Sequence, residues 1–193
     1  MPTRREELLD AAVTVLAVRG ARELTHRAVD REAGLPTGSA SNVFRTRAEL
    51  IEGIFEYLIE QELANLSSRT PEATGAAVDE AYLVVFYAAA IEYALGPGRR
   101  LTFARKALFM EAATDASARE RLERMSQFWW TVGADLLRRA GAPQPVARSR
   151  LLLAYADGII TDQLSRPQDR FDPAAAIAPA VHGVLTIPQP RRE

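Results

Sequence analysis

The chain has 193 residues, of which 48% are hydrophobic and 25% charged, a composition typical of a globular protein that can bury a core. It has no cysteine, which excludes disulfides. It has only two histidines, which argues against a histidine-based metal centre or catalytic triad. Since the formal net charge is −1, any nucleic-acid surface must be a local patch. We expect no cofactor, no metal and no membrane association. We also expect a cytoplasmic location, because the N-terminus leads into an amphipathic stretch.

The first part of the chain is predicted to form short helices, because its apolar residues follow helical spacing and strand-like alternation is hard to find. Thr3 and Glu6 have the spacing of a capping box, which would open a helix over about residues 4–19. Thr25 can cap a second helix over about residues 26–32.

A third helix is expected to open at Pro36 or Thr37 and to run to about Phe44, after a turn at Gly34. The remaining apolar periodicity predicts a connecting helix and five longer helices. These are expected at about 47–65, 75–95, 99–113, 117–140, 145–165 and 173–186. The prediction is therefore an all-α protein with a three-helix domain over 1–47 and a larger helical domain over 66–193.

Two short helices joined by a glycine-containing turn have the form of a helix-turn-helix, whose second helix presents polar side chains to the DNA major groove. Asn42 could pair with adenine, and Arg27 could reach guanine or a phosphate. Spacing alone leaves a second interpretation open, in which this segment is an ordinary helical connection with a polar surface.

The run from Leu24 to Leu50, LTHRAVDREAGLPTGSASNVFRTRAEL, resembles the N-terminal domain of TetR-type repressors. That domain typically has a Thr, a hydrophobic-Ala pair, Ala-Gly-Val, a Gly-x-hydrophobic-Tyr segment, Phe and Lys-x-x-Leu. The resemblance covers about residues 4–60 and implies DNA contacts at nine positions. These are Thr25, His26, Arg27, Thr37, Gly38, Ser39, Ser41, Asn42 and Arg47.

Three positions depart from the family pattern. Ser41 replaces the usual tyrosine, which shortens one contact with DNA. Arg47 replaces the usual lysine and keeps a charge that can bind phosphate in a bidentate manner. Asp30 replaces a small residue, so the packing around it is harder to predict.

The resemblance implies that the larger domain dimerises and holds a pocket for a small, largely apolar or aromatic effector whose identity is unknown. Aromatic residues are concentrated there, although each could equally belong to the core. The predicted pocket wall consists of Phe86, Phe109, Met125, Trp129 and Tyr155.

A homodimer is expected to form through the last two helices, which carry small and apolar residues suited to close packing. The small residues are Ala154, Gly158, Ala180 and Gly183. The apolar residues are Leu152, Tyr155, Ile159, Ile160, Ile177, Val181, Val184 and Leu185. The alternative is that these helices pack only within one chain.

The function implied by the resemblance is that of a transcriptional regulator rather than an enzyme, most simply a repressor. Its dimer would bind a palindromic operator in double-stranded DNA and be released by the effector. Two alternatives remain: a helical protein-interaction module without DNA binding, and an all-helical enzyme, for which no carboxylate pair or nucleophile–base pair stands out.

Overall fold

The computed structural model describes residues 2–69, 78–113 and 115–186 of the chain. Within these ranges the regular secondary structure is helical, which confirms the all-α prediction. The helices are α1 (Arg4–Arg19), α2 (His26–Glu32), α3 (Ser39–Val43), α4 (Arg47–Arg69), α5 (Glu80–Leu95), α6 (Arg99–Ala112), α7 (Ala116–Arg139), α8 (Pro145–Ser165) and α9 (Pro173–Thr186), with a 3-10 turn at Ala21–Glu23.

Helix α1 begins and ends as its sequence predicts. The Thr3 side chain accepts a hydrogen bond from the Glu6 N–H, and Glu6 accepts one from the Thr3 N–H at 2.6 Å, which confirms the capping box. At the other end Gly20 has a φ of +79°, a conformation that favours glycine over any residue with a Cβ.

The boundaries of α3, α4 and α5 differ from the predicted ones. Helix α3 begins at Ser39 rather than Pro36 or Thr37, because Gly38 has a φ of +101° and cannot continue a right-handed helix. Helix α5 begins at Glu80, where the Asp79 carboxylate accepts the Tyr82 N–H at 2.8 Å. The predicted start at residue 75 lies outside the described residues. Helix α4 extends to Arg69, beyond the predicted end at residue 65.

The helices group into two compact units that alternate along the chain. The first unit comprises Met1–Asn65 and Pro97–Met125, and the second comprises Leu66–Gly96 and Ser126–Glu193. The domain boundaries expected from the sequence, at residues 47 and 66, stay predictions.

The first unit is built around α1, which packs against α2 and α6. Helices α1 and α4 contribute the fully buried Leu8, Leu16, Leu50, Ile54 and Leu58 to its interior. Helix α4 also carries Gly53, whose missing Cβ lets the Phe44 ring lie close to the helix backbone. A Cβ there would stand 2.8 Å from Phe44 Cε1.

Polar contacts add to this packing in the first unit. Arg100 of α6 donates to the Asp10 carbonyl oxygen at 2.9 Å and to Thr14 Oγ1 at 2.7 Å, and it also pairs with the Asp10 carboxylate. Tyr57 Oη donates to Asp10 Oδ1 at 3.1 Å. Burial and then the Asp10 charge raise the pKa of Tyr57 to about 12, so the phenol remains a donor at neutral pH. These bonds join α6, α1 and α4.

The second unit has its core between α5, α8 and α9. Part of the surface predicted for the dimer lies in this core, since Leu152, Ile160, Ile177, Val181 and Val184 are buried there within one chain. The prediction that these five side chains supply area to a partner is therefore wrong. They lie on the inner faces of α8 and α9, where the helical period turns them toward α5.

No single helix among residues 2–69, 78–113 and 115–186 is both long enough and apolar enough to cross a membrane, although the consecutive helices α5 and α6 reach that threshold when taken together.

Candidate nucleic-acid interface

A buried carboxylate fixes the junction between α2 and α3. Asp30, on the inner side of α2, is only 3% exposed and accepts hydrogen bonds from the Gly38 N–H at 2.8 Å and the Ala40 N–H at 2.7 Å. These amides belong to the first turn of α3, where backbone N–H groups lack partners within the helix. Asp30 therefore caps α3 from the preceding helix, and its negative charge also suits the N-terminal end of the helix dipole.

The turn between the two helices is closed by backbone bonds. The Leu35 N–H donates to the Asp30 carbonyl oxygen at 2.9 Å, and Gly34 reaches the required geometry with a φ of +67°. Residue 30 therefore supports the turn with its main chain and the next helix with its side chain.

Helix α3 exposes most of its side chains. Its only buried residue is Ala40, and Phe44, which caps its C-terminal end, is also buried. Ser41, Asn42 and Val43 are exposed on its surface. Phe44 therefore anchors the C-terminal end of this helix in the core.

The serine hydroxyls of α3 already donate within the segment. Ser39 Oγ donates to the Pro36 carbonyl oxygen at 2.7 Å, and Ser41 Oγ donates to the Gly38 carbonyl oxygen at 3.0 Å. A hydroxyl has one proton, so either group must rotate before it can donate to a phosphate. The exposed Asn42 amide can offer donors and an acceptor to a base edge without such a rearrangement.

The arginines around α3 differ in whether their side chains have hydrogen-bond or ion-pair partners. Arg27 on α2 and Arg45 directly after α3 are exposed, and within the described part of the chain their guanidinium groups have no hydrogen-bond or ion-pair partner. By contrast, Arg47 at the start of α4 pairs with Glu111 Oε1 at 2.6 Å and donates to the Ala21 carbonyl oxygen at 3.0 Å. Arg27 and Arg45 can therefore meet a phosphate directly, whereas Arg47 must first give up or share Glu111.

The structure places the nine predicted DNA contacts in the first unit. Thr25 caps α2 by accepting the Ala28 N–H at 3.1 Å. His26 is half-buried, and its Nε2 is enclosed without a hydrogen-bond partner. Sequence reasoning did not identify Arg45 or the capping role of Asp30. An acidic residue eight positions before a glycine that opens a helix is a weak signal, because the bond depends on the angle between the helices.

The residues predicted to line an effector pocket are distributed over both units. Phe86, Trp129 and Tyr155 belong to the second unit and Phe109 to the first, while the side chain of Met125 lies outside the described residues. Tyr155 is 46% exposed and lines an open groove of about 810 Å³ that also contains Gly158, Ile159 and Phe171. Their role in binding an effector stays a prediction.

Comparison with known proteins gives similarity over almost the whole chain. Residues 78–187 match the family model described as the Tetracyclin repressor-like, C-terminal domain. A comparison with curated protein sequences gave no match.

Solved structures extend the similarity to the N-terminal part. A transcriptional regulator from Rhodococcus sp. Rha1 is 26% identical, with a TM-score of 0.76 and coverage of 95% of this chain and 96% of that one. A TetR-family transcriptional regulator from Rhodococcus sp. is 21% identical, with a TM-score of 0.77 and coverage of 95% and 98%. The multidrug binding protein EbrR complexed with ethidium is 24% identical, with a TM-score of 0.70 and coverage of 96% and 100%.

The cap that Asp30 provides can be tested by Asp30→Asn. The amide keeps one oxygen acceptor but turns an N–H₂ group toward a backbone donor, so one of the two bonds is lost. We expect a loss of about 1–3 kcal/mol in the free energy of unfolding and faster amide hydrogen exchange at Gly38 and Ala40. Urea unfolding and exchange measurements would check this.

The matched control is Glu32→Gln, on the same helix. Glu32 pairs with Arg19 at 3.4 Å on the surface, so its loss should change stability by less than about 0.5 kcal/mol. Equal effects of the two substitutions, or unchanged exchange at Gly38 in Asp30→Asn, would contradict the proposed cap.

Proposed function

We propose that this chain, which belongs to the TetR family of transcriptional regulators, acts as a dimeric repressor that reads a palindromic operator in double-stranded DNA with α3. The observation that carries the proposal is the geometry of α3, which is held by Asp30 and Phe44 and exposes Ser41, Asn42 and Val43. A short, rigid helix with a polar outer face has the size and chemistry to enter a major groove.

The distribution of charge supports DNA as the partner. The net charge of the whole chain is −1, so attraction to phosphates must come from local cations. Arg27 and Arg45 are exposed close to α3 in sequence and have no carboxylate partner in the described structure. We assign phosphate or guanine contact to Arg27, phosphate contact to Arg45 and base contact to Asn42.

Dimerisation follows from the length of DNA that must be read. One five-residue recognition helix contacts few base pairs. The two helix-turn-helix segments of a dimer can instead read two half-sites about 34–36 Å apart or a multiple of that distance. Helix α8 offers a surface for the second copy, because Leu151, Ala154, Tyr155 and Gly158 form an exposed stripe at helical spacing. This stripe lies on the face opposite to the buried Leu152 and Ile160.

We further propose that a small apolar or aromatic effector releases the operator. The precedent is EbrR, a protein of similar fold that is described as multidrug binding and whose structure contains ethidium. Effector binding would then lower operator affinity, and operator binding would lower effector affinity by the same factor.

DNA recognition can be tested with Arg27→Ala and Asn42→Ala, on operator DNA selected from a random pool. If these side chains make bidentate base contacts, each substitution should weaken specific binding by about 1–3 kcal/mol. The control is Arg138→Ala, which removes the same charge from an exposed site on α7. Unchanged affinity in both test variants would remove the recognition assignment.

The role of Arg47 can be tested with Arg47→Ala and Glu111→Gln. If Arg47 binds phosphate, its loss should weaken binding to all sequences and reduce the slope of log affinity against log salt by about one. Neutralising Glu111 removes the competing carboxylate and should strengthen DNA binding. The control Glu123→Gln, at an exposed position of α7, should change DNA affinity little. An unchanged salt slope in Arg47→Ala would indicate that the ion pair is purely structural.

The dimer surface can be tested with Gly158→Leu. Nothing lies within 4 Å of a Cβ at this exposed position within one chain, so a larger side chain has room to extend into solvent in the isolated subunit. At a close interface it would overpack at a cost of about 1–3 kcal/mol. Sedimentation should then detect a dimer dissociation constant raised by about 5- to 150-fold. The control is Thr131→Leu, at an exposed position of α7. Equal dimer stability in the two variants would exclude α8 as the interface.

A further inference from the structure

Three polar atoms of the second unit are buried without a hydrogen-bond partner. They are Tyr87 Oη on α5, Trp129 Nε1 on α7 and Ser149 Oγ on α8. Tyr87 is 2% exposed and Ser149 is 0% exposed, so solvent does not satisfy them. Native proteins rarely leave buried polar atoms unpaired, because each one has lost its hydrogen bonds to water without replacement. Three such atoms in one unit therefore need an explanation.

The two hydroxyls converge on the backbone of α7 at Gly133. A Cβ on this buried glycine would overlap Ser149 Oγ and stand 2.9 Å from Tyr87 Oη. Both oxygens therefore lie within 2.9 Å of a single point, and one bridging acceptor with hydrogen bonds of about 2.8 Å can reach both. The absence of a side chain at residue 133 is what allows the hydroxyls to approach the helix so closely.

Trp129, which carries the third atom, lies on the same face of α7 as Gly133. Trp129 precedes Gly133 by four residues, which is one helical turn and places the two on the same side of the helix. Aromatic rings accompany the polar atoms: Phe86 lies edge-on to Tyr87 at 5.3 Å between centroids, and Phe128 lies edge-on to Trp129 at 5.1 Å. The surroundings are therefore apolar, with hydrogen-bond donors at separate points.

The available hydrogen bonds are those of neutral donors. Burial raises the pKa of Tyr87, so its phenol keeps the proton. The indole nitrogen can only donate, and a serine hydroxyl can donate or accept. The two cations next to Ser149 in sequence are engaged elsewhere: Arg148 donates to the Val184 carbonyl oxygen of α9, and Arg150 lies over the Trp130 ring at 3.8 Å from its centroid. Such a set suits an uncharged molecule with acceptor oxygens and does not provide the counter-charge that a buried ion needs.

We propose that Tyr87, Ser149 and Trp129, arranged around Gly133, form a binding site for a neutral aromatic molecule that carries a carbonyl oxygen. The carbonyl accepts hydrogen bonds from the Tyr87 and Ser149 hydroxyls, and its apolar body lies against the rings of Phe86 and Trp129. This inference rests on the proposed effector function, because it names the chemical class of the effector. A buried water that bridges the two hydroxyls is the competing explanation.

The experiment compares two probes of nearly equal size, 1-acetonaphthone and 1-ethylnaphthalene, on the full-length protein. Binding is followed by quenching of Trp129 and Trp130, the only two tryptophans in the chain. We expect the ketone to bind at least about fivefold more tightly than the hydrocarbon, because only the ketone satisfies the buried donors. Failure of the ketone to bind up to its solubility limit would overturn the proposal, as would equal binding of the two probes.

The hydroxyls are tested with Tyr87→Phe and Ser149→Ala, which remove one oxygen each and leave the packing largely intact. Each should weaken ketone binding by about three- to tenfold and leave hydrocarbon binding unchanged. The matched control is Tyr82→Phe on the same helix, which should change neither affinity. Unchanged ketone affinity in both test variants would overturn the assignment of these two donors.

The stability of the ligand-free variants distinguishes an effector site from a site for structural water. Removing a truly unsatisfied hydroxyl should leave the melting temperature unchanged or raise it, whereas removing a partner of a bridging water should lower it. A lower melting temperature with unchanged ketone affinity would mean that the site holds only water.

Operator binding without the probe is measured separately. Loss of DNA binding would refute the regulator function while ketone binding persists. Normal DNA binding with no response to the ketone would refute only this inference.

Discussion

The geometry of the α2–turn–α3 segment depends on the two hydrogen bonds that the Asp30 carboxylate accepts from the backbone of α3. A helix of five residues is too short to be stable by itself, because the free-energy cost of helix nucleation exceeds the stabilisation from one turn of hydrogen bonds. The carboxylate supplies the N-terminal partners that such a helix lacks, and Phe44 holds its other end against α4 at Gly53. The exposed positions of α3 are therefore presented on a frame that other elements stabilise.

The same unit contains α6, which follows the connecting helix by nearly thirty residues in sequence. Arg100 near its first turn bonds to α1, Arg105 pairs with Glu62 of α4 at 2.6 Å, and Glu111 near its last turn holds Arg47. Arg100 and Arg47 are 42% and 43% exposed, so their ion pairs contribute little stability each, whereas the Arg105–Glu62 pair is largely buried. The pairs fix α6 relative to α1 and α4 along most of its length.

Sequence reasoning recovered most of this architecture, because helix periodicity and end signals are local. The capping box at Thr3 and the cap at Thr25 each depend on residues within a few positions of one another. Features that involve distant residues were missed. The bond from Asp30 to α3, the pairing of Arg47 with Glu111 and the convergence of Tyr87 and Ser149 on Gly133 all require knowledge of how helices pack. Which side of α8 and α9 faces the core was also misjudged for residues such as Leu152, since apolar residues occur on both sides of α8.

The residues that hold α3 in place differ from those that it exposes, and this difference has an evolutionary consequence. Ala40 and Phe44 are buried, whereas Ser41, Asn42 and Val43 carry almost none of the packing. Substitutions at exposed positions of this kind usually alter stability by less than about 0.5 kcal/mol. If α3 reads DNA as proposed, descendants of such a gene can exchange these three side chains, and with them the preferred DNA sequence, while the scaffold stays folded at each intermediate step. Under that proposal, operator preference can diverge after gene duplication one substitution at a time.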